Sequence, residues 1–180
     1  MVGAARHRWN PMGRGDVGMV QHRIQLTGSE MLLAGQAGVL RSIQHRVKNT
    51  KQRHGAQNGP YGWGMDLIGA LGEAAVAKWS GRWWSGMGMG IAAGDVGPLE
   101  VRCVDSPDRR LILHADDKDE SPYILVVAQP PEFILKGWML GREGKDERFW
   151  SDPTGKNRHA FFVPDEELHN MQQLDDIQWT

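Results

Sequence analysis

The chain has 180 residues, 40% of them hydrophobic, with eight Trp, nine Met and one Cys, and a formal net charge of -1. That length and apolar content suit one domain with a sizeable core. A lone Cys excludes an internal disulfide, and the lack of a long apolar run or signal-peptide pattern argues against a membrane partner and for a reducing, cytoplasmic setting.

The near-neutral total hides a segregation of charge, because residues 1–65 carry +7 and residues 66–180 carry -8. Residues 1–19 mix Gly, Arg and Pro without periodicity and read as a loose arm, leaving 20–180 as the single domain. Residues 22–26 alternate as a short strand does, and Thr27 and Glu30 have the spacing of a capping box, which predicts a helix to about Lys48. Within it, Gly35 and Gly38 mark close packing, since each costs a helix about 1 kcal/mol relative to Ala. Arg41, Arg46, Lys48, Lys51 and Arg53 fall in the acid-free stretch 31–65, a segment suited to a polyanion such as DNA or to a solvated helix end and loop.

A polar loop is expected over 49–62, followed by a second, largely buried helix over 66–79 with Leu67, Leu71, Ala74 and Ala75 as its apolar stripe and Gly81 as its stop. Apolar runs at 99–104, 111–114 and 123–128 predict a meander of strands, with further strands at 133–140 and 161–163. Pro164, Asp165 and Glu166 open a short C-terminal helix ending near Leu174. Two helices ahead of a sheet make an α/β (α+β) layer arrangement and exclude a doubly wound parallel sheet.

The stretch from Asp95 through Val96, Gly97, Pro98, Leu99, Glu100 and Val101 to Arg102 sets one carboxylate at a turn and a second inside an apolar strand. Glu100 and Arg102 share a strand face about 6.6 Å apart. The Gly-Pro turn folds Asp95 back beside Glu100, and such a pair suits a hard cation such as Mg²⁺ or Mn²⁺. Glu73, set among Leu71, Gly72, Ala74 and Ala75, needs a partner if ionised: the same metal, or a nearby Trp or Arg. Glu30 and Lys78 are secondary candidates.

A helix bearing Glu73, then Asp95, then a strand with Glu100-Val101-Arg102 resembles the PD-(D/E)xK nuclease superfamily, and 69–81 is similar to the Glu-bearing helix of its small phage-encoded members. Over residues 27–140 the resemblance implies a restriction-endonuclease-like core, a mixed sheet flanked by helices, and Mg²⁺-dependent hydrolysis of DNA. It also implies Glu73, Asp95 and Glu100 as metal ligands or their support. Two departures stand out: Arg102 replaces the family's Lys, and Asp95 lies only five residues before Glu100, a shorter gap than usual. Arg stays protonated, so it would act as a fixed cation, with Lys78 as a substitute lysine.

The alternatives are a catalytically degenerate DNA- or protein-binding module and a viral structural or accessory protein; a homodimer is open. The run from Asp116 to Glu120 reads as a solvated hairpin turn between strands. The seven scattered His lack zinc spacing, 86–90 is a Gly-rich turn, Trp79, Trp83 and Trp84 read as core more readily than as base-stacking groups, and Cys103 as a packed thiol.

Overall fold

The computed structural model describes residues 21–47, 60–86 and 94–175, so the expected arm over 1–19 lies outside the described residues. Strand β1 (His22–Gln25) leads into helix α1 (Gly28–Val47) through the expected capping box. The Thr27 amide donates to Glu30 at 2.6 Å and the Glu30 amide donates to Thr27 Oγ1 at 3.3 Å, which satisfies two donors the helix cannot pair internally.

Helix α2 (Pro60–Ser80) begins earlier than the expected residue 66, so residues 60–62, expected as loop, are helical. Pro60 at the first position explains the start, because its missing N–H would have no helical partner there. The helix ends as Gly81 requires: with φ of 64° it turns the chain so that the Arg82 amide donates back to the Ala77 carbonyl at 3.2 Å.

The two helices pack closely at Gly38, where a Cβ would stand 2.7 Å from Leu67 Cα and 2.8 Å from the Asp66 carbonyl oxygen. Both obstacles are backbone and cannot rotate away. Gly38→Ala should therefore lower stability by about 1–3 kcal/mol from overpacking, net of the roughly 1 kcal/mol that Ala gains in helix propensity. Urea denaturation measures this, and a variant as stable as the parent would show that the helices separate freely.

The remaining elements are strands β2 (Glu100–Val104), β3 (Leu111–Leu113), β4 (Pro122–Gln129) and β5 (Glu132–Leu140), the short helix α3 (Gly141–Gly144), strands β6 (Trp150–Ser151) and β7 (Ala160–Val163), and helix α4 (Met171–Asp175). They form two sheets, a four-stranded one in the order β1-β5-β4-β2 and a three-stranded one in the order β3-β7-β6. The fold is thus mixed α+β, with the two long helices falling between β1 and the other strands of a mixed sheet, in which β4 runs antiparallel to β5 and parallel to β2.

This arrangement corrects the expected meander. Strands β3 and β4 belong to different sheets, so the acidic run between them is a crossover and not a hairpin turn. The apolar side chains of β4 serve two cores: Ile124 and Val126 join Leu71, Ala75 and Val76 of α2, while Tyr123 and Leu125 join Leu111, Leu113 and Val163 of the smaller sheet. Helices, large sheet and small sheet are therefore three layers, and β4 is buried on both faces.

The expected C-terminal helix is also interrupted. Residues 165–167 form a single 3₁₀ turn, and the helix resumes only at Met171. Between them His169 exchanges two backbone hydrogen bonds with Trp138 of β5, at 2.8 and 3.1 Å, and that pairing requires extended backbone.

Candidate functional site

The turn that carries Asp95 closes as its sequence indicates. Val96 and Leu99 exchange backbone hydrogen bonds at 3.0 and 3.1 Å, and Gly97 takes the left-handed φ of 62° that the reversal demands. Asp95 is thereby folded back onto β2, where its carboxylate accepts the Val101 amide at 2.8 Å.

Strand alternation then decides which acids meet. Val101 and Cys103 face α2, and a Cβ on Gly72 would lie only 2.5 Å from Cys103 Sγ. Glu100 and Arg102 point to the opposite face, where Arg102 lies over the Tyr123 ring at 4.8 Å and donates to Asp117 at 2.9 Å. Glu73 and Glu100 thus stand on opposite sides of β2, and Asp95, at the strand's start, is the acid between them. Among the described residues no group of three or more His, Cys, Asp or Glu is gathered closely enough to hold a metal ion.

Glu73 has the partners that its buried position demands. Arg41 donates to both of its oxygens at 2.6 Å, and Trp84 Nε1 donates to one of them at 2.9 Å. Arg41 also donates to the Gly86 carbonyl at 3.0 Å. Its guanidinium is therefore drawn inward, away from the solvent-facing placement that a phosphate contact needs.

Arg46 lies 4.3 Å from the centre of the Trp63 ring and donates to the Ser42 carbonyl, while Lys48, Lys51 and Arg53 lie outside the described residues. The secondary candidates are joined elsewhere: Lys78 donates to Glu30 at 2.8 Å and to the Gln25 carbonyl at 3.0 Å, tying α2 to the start of α1. Lys78 is thus not beside Glu100.

Electrostatics single out Asp95. Burial, the Glu73 charge and, more weakly, Glu100 push its carboxyl up to about 7, against the Val101 amide, which favours the charged form. Glu100 is raised by burial, with Arg102 and Lys118 pulling the other way. The Cys103 thiol is pushed up to about 12 by burial and by Glu73, which makes it a packed group and not a nucleophile.

Two residues that composition assigned to a solvated turn belong to this site. Asp117 accepts from Arg102 and from the His114 amide at 2.9 Å each, and Lys118 brings Nζ within 3.9 Å of Glu100 while its amide donates to the Tyr123 hydroxyl at 2.9 Å. Their local sequence is an acidic, Pro-terminated run. Only the β2–β4 pairing, which sets Glu100 beside Tyr123, brings them in.

The three aromatic candidates divide as well. Trp79 meets His22 edge-on at 6.0 Å, Trp84 is bonded to Glu73, and Trp83 is 87% exposed. No family model, no curated protein and no solved structure matches the chain.

Proposed function

We propose that the chain is a metal-dependent nuclease acting on DNA, with the site centred on Asp95 and Glu100 and built on a restriction-endonuclease-like core. The observation that carries this reading is the placement of an Asp and a Glu at the start of β2, near enough that the Glu100 charge raises the Asp95 carboxyl, with Asp95 on the Val101 amide and Lys118 within 3.9 Å of Glu100. The lysine that Arg102 displaces from the strand is supplied in space by Lys118.

A divalent cation fits the donor set in one respect and not in another. Asp95 is held near neutrality by its own burial and by the Glu73 charge, an arrangement that a hard cation would relieve. Mg²⁺ is commonly held by one or two carboxylates with water filling its other positions, so Asp95 and Glu100 suffice, with Glu73 behind them as a fixed charge. A Glu73 ligand does not fit, because Arg41 and Trp84 occupy both of its oxygens.

Bound there, Mg²⁺ or Mn²⁺ would supply Lewis-acid polarisation of a phosphodiester oxygen. Lys118, with its side chain 64% exposed, is free to reach a phosphate or position water. The Arg102 guanidinium, braced by Asp117, offers stabilisation to negative charge developing on the phosphate.

Duplex or single-stranded DNA incubated with Mg²⁺ or Mn²⁺ should be cut by the parent protein, and Asp95→Asn, Glu100→Gln and Lys118→Met should each slow cutting by about 100-fold or more while circular dichroism stays unchanged, the scale of losing one preorganised charged contact. Equal cutting by parent and variants after purification would expose a contaminant and end the enzyme reading. A second reading, a DNA- or protein-binding module without catalysis, is favoured by the closed Arg41–Glu73 and Arg102–Asp117 pairs. It would be upheld by binding without cleavage in every metal.

A further inference from the structure

Helix α1 presents a large apolar surface to solvent on the side turned away from α2. Leu32, Leu33, Val39, Leu40, Ile43 and Val47 are exposed by 64, 64, 42, 48, 42 and 80% respectively. At about 100° per residue they occupy one arc of roughly 120°, while Ala34, Gly38 and Ser42, buried against α2, occupy the other side. Scattered exposed leucines are ordinary, but six large apolar side chains in one arc of one helix are not.

The arc has a coiled-coil register. Leu33, Leu40 and Val47 are seven residues apart, as are Gln36 and Ile43 between them and Leu32 and Val39 at their flank. No acidic residue lies on the seam itself, and its other flank carries Glu30, Ala37 and Gln44, with Glu30 paired to Lys78 at 2.8 Å. Arg46, the charged side chain at the edge, is folded over Trp63. With Glu30 paired and Arg46 folded away, a second copy can approach about a two-fold axis without setting unpaired like charges together, and Gln36, midway along the seam, supplies a polar position of the kind that such seams use to fix register.

We propose that α1 is a homodimer interface, the seam of one chain packing on the same seam of another. These six side chains alone expose roughly 600 Å² per protomer, so near-complete burial of the seam in two copies would reach the about 1,000 Å² total that a specific interface needs. The interface is independent of the nuclease reading, since Asp95 and Glu100 lie on β2 and its preceding turn, on the far side of α2 from this arc.

Sedimentation velocity of the full chain across about 1–100 µM, the range in which marginal dimers dissociate, should show a concentration-dependent monomer–dimer equilibrium. Leu40→Glu and Leu40→Lys should each raise the dissociation constant by about 100-fold or more, because each sets like charges against one another across the axis. Both side chains point to solvent in the monomer, so the fold should survive, and unchanged circular dichroism checks it. An equimolar mixture of the two variants should recover dimer, which misfolded chains could not do. The proposal is overturned if the parent stays monomeric throughout, whether because another segment of the chain covers the seam or because the seam binds anionic lipid vesicles. Dimerisation of either single variant at parental strength would overturn it equally.

Discussion

Glu73→Gln should lower the unfolding free energy by about 3–5 kcal/mol, the cost of removing one member of a buried ion pair and leaving the other charged. Arg41 and Glu73 expose only 14 and 7% of their side chains, and the amide can neither balance the guanidinium nor accept at both oxygens. Trp84 would lose part of its acceptor as well. The converse experiment separates charge from packing: Glu73→Leu combined with Arg41→Met should recover most of the loss, because apolar replacement of both partners is often nearly neutral. Guanidinium denaturation of the three proteins measures this, and a single Gln variant within about 1 kcal/mol of the parent would mean that water already solvates the pair.

The pH dependence of stability should be dominated by Asp95. Its carboxyl rises from 3.8 to about 7 on folding, so the folded state holds a proton that the unfolded chain has released. The stabilisation is complete below about pH 4, declines as pH rises, and is gone above about 7. At 1.36 kcal/mol per unit the ceiling is about 4 kcal/mol, set by burial and by the neighbouring Glu73 and Glu100 charges. Asp95→Asn is neutral throughout and can still accept the Val101 amide, so its melting temperature should be flat over this window and exceed the parent's at pH 8. Millimolar Mg²⁺ should raise the parent's melting temperature at pH 8 and leave the Asn variant's unmoved. A parent protein that gains stability between pH 5 and 7 would remove Asp95 from this role.

What was legible in the sequence was local. The Thr27–Glu30 cap and the Gly81 stop involve residues within one or two turns of each other, and the Gly97-Pro98 turn returns the chain to Val101 within six residues of Asp95. The apolar strand runs were equally readable. Pairing between distant strands was not: nothing in residues 100–104 marks a parallel partner at 123–127, and that pairing is what draws Asp117 and Lys118 to Arg102 and Glu100.

The need of Glu73 for a partner followed from its apolar neighbours, and Trp or Arg was among the expected answers. Which Arg could not follow, since Arg41 lies 32 residues away on another helix. The opposed faces of Glu73 and Glu100 depend on which side of β2 the helix covers, a fact of packing and not of spacing.

The bond between His169 and Trp138 has a meaning beyond the break it makes in the last helix. Strand β1 pairs with β5 only from Glu132 to Leu135, so the upper half of β5 would otherwise present bare amides and carbonyls. Residues 168–170 fill that gap: Trp138 exchanges backbone bonds with His169, its indole donates to the Asn170 carbonyl at 3.1 Å, and Gly137 allows Leu168 so close that a Cβ would stand 2.8 Å from its side chain. Glu143 holds the His169 ring at 2.9 Å from α3. An uncovered β-edge is a template on which foreign strands can grow, and here it is sealed by a short non-repetitive segment. The C-terminal stretch therefore acts as an aggregation guard, fastened by one histidine to the strand it protects.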